Sequence, residues 1–141
     1  MVDYQYPLNF AQFGKEIGIQ HFGLLTSAGS SATSWFFYMK TKGQVENAVK
    51  ALDFPQLTIF QPALLLNRRN DSRTGEKIAS YIPFLPSIEA KDLGEAILKA
   101  AWAVKLGQSN TEMKDWEKIA VMGNSDIKEF WKTSEEDWCA K

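Results

Sequence analysis

Apolar residues recur along the chain in two alternating patterns, one at helical spacing and one in short continuous runs. The first helical stretch is marked by apolar residues at roughly helical intervals: Leu8, Phe10, Phe13 and Ile17. Pro7 is expected in the first turn of this helix, where proline is tolerated. Gly18 is expected to end it. The pattern therefore predicts an amphipathic helix ahead of the first strand.

Two short apolar runs predict buried strands on either side of a second helix. Residues 21–27 read HFGLLTS and lead into a loop rich in serine and glycine, and residues 56–60 read QLTIF. Continuous apolar runs of this length are typical of strands that are buried on both faces. The helix between them is predicted from about Trp35 to Leu52. Four of its residues are expected to face the core: Phe37, Val45, Val49 and Leu52.

The rest of the chain predicts three further helices and a late strand. Residues 76–84 indicate a short helix stopped by Pro83, and a longer helix over about 91–106 is expected to end at Gly107. Two elements complete the prediction: a strand within residues 116–123, and a last helix over residues 125–132 with Ser125 as its N-cap.

Buried strands that alternate with helices predict an α/β fold with a parallel sheet. Two or three strands form only part of a doubly wound sheet, and the nucleotide-binding part of such a sheet normally comes first. The 141 residues are therefore expected to form a single partial domain. Residues 132–141 are expected to form a flexible tail.

Composition narrows the class of partner. Hydrophobic residues make up 45% and charged residues 23%, with a formal net charge of −1. Without a basic excess, we expect no nucleic-acid partner, and no apolar run predicts a membrane span. Cys139 is the single cysteine, and the first residues do not have the pattern of a secretory signal. A cytoplasmic, or else nuclear, location is therefore expected.

Tyr38 and Lys42 are spaced i, i+4 on the second predicted helix, so both side chains lie on one helix face. A lysine ammonium beside a phenol favours the ionised phenolate, which suits Tyr38 to proton transfer. Ser27 follows a buried strand, at the end where open α/β sheets place their ligands. This set of side chains suits carbonyl reduction or alcohol oxidation. Taken alone, however, the tyrosine–lysine spacing is equally that of an ordinary amphipathic helix.

Three segments resemble a known family: VDYQYPLNFAQFGKEIGIQHFGLLTSAGSSATSWFFYMKTKGQVE, LTIFQPALLLNRRNDSRTGE and IEAKDLGEAILKAAW. They are similar, in order and with compatible spacing, to the C-terminal half of atypical short-chain dehydrogenases/reductases. The Tat-interacting-protein-like (oxidoreductase) group is the nearest resemblance, followed by the NmrA-like proteins. The resemblance covers residues 2 to about 131 and implies a partial Rossmann-like fold.

The resemblance also implies roles for individual residues. Tyr38 matches the catalytic acid/base, and Lys42 matches the lysine that holds the nicotinamide ribose. Ser27 matches the serine that polarises the substrate carbonyl, a role for which Thr26 is a weaker candidate. Three further residues match the segment and loop that approach the cofactor: Pro62, Leu65 and Arg73. The implied cofactor is NADP, with NAD as the alternative.

Two departures from the family pattern bear on the cofactor. Gln61, Pro62 and Ala63 stand where the family usually reads arginine, proline and glycine, and an alanine there is expected to restrict the backbone. The 141 residues also contain no glycine-rich G-x-G-x-x-G or G-x-x-G-x-x-G motif. The dinucleotide-binding half implied by the resemblance is therefore expected to be missing.

Two functional hypotheses follow. In the first, the chain is half of an NAD(P)H-dependent oxidoreductase acting on a small carbonyl or alcohol, weak or inactive without the other half. In the second, it is a non-catalytic interaction module, because a half-sheet exposes an edge that a homo-oligomer or a protein partner would cover. A metal role is not expected, since one histidine, His21, and one cysteine do not make a Cys/His zinc site. Arg68 and Arg69 are expected to be solvated, with anion binding as the alternative.

Overall fold

The structure is a computed structural model that describes residues 2–66, 86–105 and 118–132. These residues form four helices: α1 (Val2–Glu16), α2 (Phe37–Lys50), α3 (Ala90–Lys105) and α4 (Asn124–Lys132). They also form five strands: β1 (His21–Leu25), β2 (Gln56–Gln61), β3 (Leu64–Leu66), β4 (Ser87–Glu89) and β5 (Ile119–Gly123).

The strands form two parallel sheets. The larger has the order β1-β2-β5, with His21 opposite Gln56 and Leu57 opposite Ile119 at the starts of the two pairings. The smaller pairs β3 with β4. The expectation of a parallel α/β sheet with flanking helices is confirmed, whereas the two three-residue strands of the smaller sheet were missed. Runs as short as Leu64–Leu66 carry too few positions to show a periodicity.

Helices cover both faces of the larger sheet, and each face has its own core. On the first face, α1 and α2 pack on β1 and β2 through a buried cluster: Ala11, Phe22, Leu24, Val45, Val49, Phe54, Leu57 and Ile59. On the second face, α3 and α4 pack through another cluster: Phe60, Ile88, Leu93, Ala96, Ala100, Met122 and Ile127. Leu57 to Phe60 are all buried, because alternate residues of the central strand β2 point into opposite cores.

Several predicted boundaries hold, and three local predictions are wrong. Helix α1 ends at Glu16, and Gly18 follows with φ +76°, a left-handed conformation that glycine adopts without strain. Pro7, however, lies inside α1 and not in its first turn. Phe37 is exposed, because it lies in the first turn of α2, ahead of the residues that pack on the sheet.

The last helix also begins differently from the prediction. Ser125 lies within α4, so it is not the N-cap. The carboxylate of Asp126 instead accepts a hydrogen bond from the Gly123 amide at 2.8 Å. The predicted helix within 76–84, the cap at Gly107 and the tail beyond Lys132 lie outside the described residues. Within the described ranges, none of the helices combines the length and apolarity needed to cross a bilayer.

Candidate active site

The candidate site lies at the carboxyl ends of β1 and β2, where the chain leaves β1 as a loop. The parallel pairing continues past the strand, because the Thr26 amide donates to the Phe60 carbonyl and the Ala28 amide to the Pro62 carbonyl, both at 2.9 Å. Ser27 lies between these two bonds and is half-buried. The backbone of β2 therefore fixes the level of Ser27 along the sheet.

A compact turn holds Ser27 from the other side. The Ser30 hydroxyl donates to the Ser27 carbonyl at 2.6 Å, and the Ser27 amide donates back to the Ser30 hydroxyl at 3.3 Å. The next residue, Ser31, donates its amide to the Met39 carbonyl at 3.1 Å. This bond ties the serine loop to the first turn of α2, one residue from Tyr38.

Gly43 allows the loop to lie directly on α2. A Cβ atom at this position would come within 2.3 Å of the Ala32 amide nitrogen and of the Ser31 carbonyl carbon. Only a residue without a side chain permits such an approach of backbone to helix. This role of Gly43 was not predicted from the sequence, although the glycine directly follows Lys42.

Tyr38 and Lys42 are brought together as their spacing predicts. The Lys42 ammonium lies 5.5 Å from the centre of the Tyr38 ring, within the range of a cation–π interaction. The Tyr38 side chain is 52% exposed. The tyrosine therefore presents its ring to solvent at the open end of the sheet, where a small molecule can reach it.

Helix α1 contributes a residue that sequence reasoning missed. Asp3 lies 3.7 Å from the Lys42 ammonium, and the lysine side chain is only 17% exposed. Ion pairs of this kind, with one partner in solvent, stabilise by about 0–1 kcal/mol. The pair contributes little stability, but it directs the ammonium group towards one position beside Tyr38.

Thr26 and Ser27 differ in what their hydroxyls contact. The Thr26 hydroxyl is buried and donates to the Glu46 carboxyl oxygen Oε1 at 2.6 Å. Gln61 donates its side-chain amide to the same oxygen at 2.9 Å. Because the Thr26 hydroxyl is engaged in the interior, Ser27 is the better placed of the two neighbours to meet a substrate.

The residues expected to approach a cofactor are placed unevenly. Pro62 is buried, and its carbonyl accepts from Ala28 as described above. Leu65 lies in β3 opposite Ile88 and packs against the second core, so its side chain is at least partly used by packing. Arg73 lies outside the described residues, as do Arg68 and Arg69.

The backbone at Ala63 is not strained. Among the described non-glycine residues, only Asp53 has a positive φ. Ala63 therefore has an ordinary backbone conformation, and its amide donates to the side-chain oxygen of Asn124 at 3.3 Å. The expectation that alanine restricts the backbone beside a cofactor stays a prediction.

The side chains present suit one end of a nicotinamide cofactor. The Tyr38 phenol, the Lys42 ammonium and the Ser27 hydroxyl are donors suited to ribose hydroxyls and a carbonyl oxygen. The pyrophosphate end has no counterpart, because the sequence contains no glycine-rich turn of the dinucleotide-binding type. Among the described residues, these three side chains therefore suit the reactive end of such a cofactor.

Two groups with displaced pKa values lie at the other end of the strands. Burial lowers the pKa of His21, whose Nε2 atom is 2.9 Å from the Thr58 hydroxyl. A hydrogen bond from Lys118 lowers the pKa of Asp53. His21 is the first residue of β1 and Asp53 shortly precedes β2. Both therefore lie at the amino ends of the strands, whereas Ser27 lies at the carboxyl ends. We assign them to the fold and not to the candidate site.

Comparison with known proteins identifies partial-length relatives. The chain is 44% identical over 78 residues to protein HTATIP2 of Rattus norvegicus, covering 55% of this chain and 32% of the relative. It is 39% identical over 111 residues to protein FMP52, mitochondrial, of Lodderomyces elongisporus, covering 71% of this chain and 47% of the relative. The FMP52 protein of Candida albicans is 32% identical over 139 residues, with 89% and 57% covered.

These relatives correct the expected location. Fungal relatives, including those of Emericella nidulans and Saccharomyces cerevisiae, carry the name mitochondrial FMP52. The expectation of a cytoplasmic or nuclear location is therefore wrong. It rested on one cysteine and on the absence of a secretory signal, and neither feature distinguishes the cytosol from the inside of an organelle.

The chain matches only part of the length of each relative. The chain spans about a third to just over half of the length of the relatives it matches, and no family model matches it. The match to HTATIP2 and to several FMP52 proteins, together with the parallel α/β sheet, confirms the resemblance stated from sequence. The chain is a partial-length homologue of the proteins named HTATIP2 and FMP52.

Proposed function

We propose that the chain forms the catalytic and substrate-binding part of an oxidoreductase that uses NADP(H), with NAD(H) as the alternative, to interconvert a carbonyl and an alcohol. The observation that carries the proposal is the pairing of Tyr38 and Lys42 at the open end of the sheet. The Lys42 ammonium lies 5.5 Å from the ring centre, and the Tyr38 side chain is half exposed. The Ser31 amide ties the serine loop to the carbonyl of Met39, the next residue after Tyr38.

Ser27, Tyr38 and Lys42 have separate roles in orienting the substrate and transferring the proton. When bound, the cofactor supplies or accepts the hydride. The Ser27 hydroxyl donates to the substrate oxygen and orients it, while the Tyr38 hydroxyl gives or takes the proton at that oxygen. The Lys42 ammonium, which lies beside the Tyr38 ring, offers hydrogen bonds to ribose hydroxyls. Asp3 lies 3.7 Å from this ammonium and adds a weak attraction to it.

A tyrosine substitution tests this function. Tyr38→Phe removes only the hydroxyl, so reduction of a panel of carbonyl compounds by NADPH should slow by about 100- to 10,000-fold, the usual contribution of a positioned acid/base. The assay follows NADPH consumption, using the chain supplemented with the dinucleotide-binding part of a relative. Tyr6→Phe, at an exposed tyrosine of α1, is the matched control. Equal rates of NADPH consumption by Tyr38→Phe and the parent protein would contradict the proposed mechanism.

The second candidate function is that of an interaction module. The observation that favours it is a row of large apolar side chains on α1, each more than half exposed: Val2, Tyr6, Phe10, Phe13 and Ile17. A contiguous apolar face of this kind is typical of a surface that contacts another protein. If a cellular effect of the chain is unchanged by Tyr38→Phe but lost when this face is made polar, binding and not catalysis is the function.

We also propose that the protein is mitochondrial, on the strength of the names of its fungal relatives. Imaging of the protein tagged at its C-terminus in a yeast cell, beside a mitochondrial marker, tests the location. A signal that fills the cytosol in cells expressing the complete open reading frame would overturn it.

A further inference from the structure

Glu46 occupies an unusual place for a carboxyl group. It lies on α2, four residues beyond Lys42, and the residue is only 5% exposed. Glutamate is rarely so deeply buried unless its oxygens are hydrogen-bonded. The reason for its burial therefore has to be found in its partners.

Both described partners come from the carboxyl ends of the two central strands. The Thr26 hydroxyl, just beyond β1, donates to Oε1 at 2.6 Å, and the Gln61 side-chain amide, at the end of β2, donates to the same atom at 2.9 Å. Thr26 is itself 7% exposed. One oxygen atom on α2 thus receives hydrogen bonds from both strands.

These bonds act directly beneath the candidate site. Thr26 is the residue before Ser27, and Glu46 is two helical turns from Tyr38 on the same helix, so the network links the serine to the tyrosine. A second link, from the Ser31 amide to the Met39 carbonyl, lies above it. Two separated links fix both the distance and the tilt of a loop on a helix, which a single link does not.

We infer that Glu46 is a positioning residue, whose buried carboxyl oxygen locks the ends of β1 and β2 onto α2 and thereby fixes Ser27 relative to Tyr38. The inference rests on the proposed oxidoreductase function for its catalytic consequence, but not for its structural one. Gln61 strengthens the case, because its side-chain amide supplies a second donor to the same oxygen of Glu46 from the end of β2.

The structural part is tested on the chain alone, by amide hydrogen exchange measured residue by residue. Glu46→Met keeps a side chain of similar length and removes the acceptor. The Thr26 and Ala28 amides, which bond to the Phe60 and Pro62 carbonyls, should then exchange about tenfold faster or more, because local opening becomes easier. Glu46→Gln retains an acceptor oxygen and should restore protection to within about threefold.

A control separates a local effect from a general loss of stability. Ile127→Val removes one methylene from the second core, where Ile127 is fully buried, and leaves the Glu46 contacts intact. It should lower global stability without selectively exposing the Thr26 and Ala28 amides. If Glu46→Met does not fold, Thr26→Val serves in its place, since it removes one donor and keeps the carboxyl bonded to Gln61.

The catalytic part is tested separately, with the supplemented enzyme. Glu46→Met should lower kcat by about 10- to 100-fold with a smaller change in KM, because misplacement of a reacting group affects the chemical step most. Glu46→Gln should recover most of the rate. Unchanged exchange at Thr26 and Ala28 in both Glu46→Met and Thr26→Val overturns the inference, whatever the activity. If Glu46→Met exchanges faster but Tyr38→Phe leaves the activity unchanged, the positioning role of Glu46 is supported and the proposed oxidoreductase function is rejected.

Discussion

Gly43 shows how a single missing side chain decides the geometry of the site. The Ser31–Ala32 backbone comes so close to α2 that a Cβ atom would lie 2.3 Å from two of its atoms. Backbone atoms cannot move aside as the end of a flexible side chain can, so the loop must shift away from the helix. The Ser31–Met39 hydrogen bond and the position of Ser27 depend on this contact.

Gly43→Ala should therefore destabilise the chain by about 1–3 kcal/mol, the usual cost of forcing extra atoms into a packed contact. Chemical denaturation followed by tryptophan fluorescence measures the free energy of unfolding. Gly94→Ala in α3 is the matched control: an added Cβ there meets nothing within 4 Å. It should stabilise the helix by about 0.5–1 kcal/mol. A neutral or stabilising Gly43→Ala would show that the loop does not lie on the helix as described.

His21 makes stability depend on pH. Burial lowers the pKa of its imidazole below the ordinary value of 6.5, so the unfolded chain binds a proton more readily than the folded one. The contribution of neutral His21 to the free energy of unfolding is complete above pH 6.5. It is lost as the pH falls from 6.5 towards the pKa of His21 in the folded state.

The measurement is the melting temperature between pH 7.5 and pH 5.5, a window of about two units around the ordinary histidine pKa. The parent chain should lose stability across this window, and His21→Gln, which keeps a hydrogen-bonding group near Thr58, should lose less. The window lies above the range in which Asp53 titrates, because the pKa of Asp53 is lowered from 3.8 by Lys118. Parallel curves for the two proteins would contradict the assignment.

At the scale of elements, the sequence pattern correctly predicted which faces of a helix or strand are buried. Val45 and Val49 are four apart on α2 and both are buried, and the continuous run of β2 is buried on both faces. Contacts between distant segments were not predictable in this way. The Asp3–Lys42 pair and the Thr26–Glu46 bond join residues far apart in sequence. No spacing rule within one element reports such contacts.

The apolar row of α1 lies on a different side of the helix from Tyr4 and Gln5. Tyr4 and Gln5 line the groove that faces α2, whereas the centre of the row lies roughly 150° from them around the helix, at about 100° per residue. Phe10 nevertheless touches the ring of Phe22 in β1, with ring centres 6.0 Å apart. The row therefore borders β1 and continues the apolar surface of the sheet towards its free edge.

We propose that this row mediates contacts between copies of the chain, so making it polar should reduce self-association. A double variant, Tyr6→Glu with Phe13→Glu, replaces two exposed apolar groups and should shift the chain towards the monomer in analytical ultracentrifugation, with a stability change within about 0.5 kcal/mol, as for exposed sites. Gln12→Glu adds charge at another exposed position of α1 and controls for charge alone. If the double variant and the control sediment alike, the row does not mediate contacts between copies.

At the scale of the whole molecule, the handedness of the fold indicates where a completing part would join. Helices α1 and α2 pack on the same face of the sheet, and the β1–α2–β2 unit advances from β1 towards β2. Connections of this type are right-handed in about 98% of cases. A parallel strand leading into α1 would therefore lie on the other side of β1, at the edge that has no neighbour among the described strands.

The same edge borders the apolar row of α1, so one added strand and its helix would cover both. We propose that the part of a relative outside the matched segment, produced separately and mixed with this chain, protects β1 amides from hydrogen exchange and slows exchange least at β5, the opposite edge. The relatives are long enough to contain such a part, since the chain spans 32% to 57% of them.

Cofactor binding gives the sharpest test of this division. Alone, the chain offers donors for the nicotinamide end but no glycine-rich turn for the pyrophosphate, so NADPH should bind with a Kd weaker than about 1 µM, a free energy of about 8 kcal/mol. Titration calorimetry with the chain alone, and again with the completing part, measures the difference. Lys42→Met should weaken binding only in the completed protein, where the nicotinamide end is held against Tyr38. Tight binding of NADPH by the chain alone would contradict this prediction, because the chain would then bind the pyrophosphate without a glycine-rich turn.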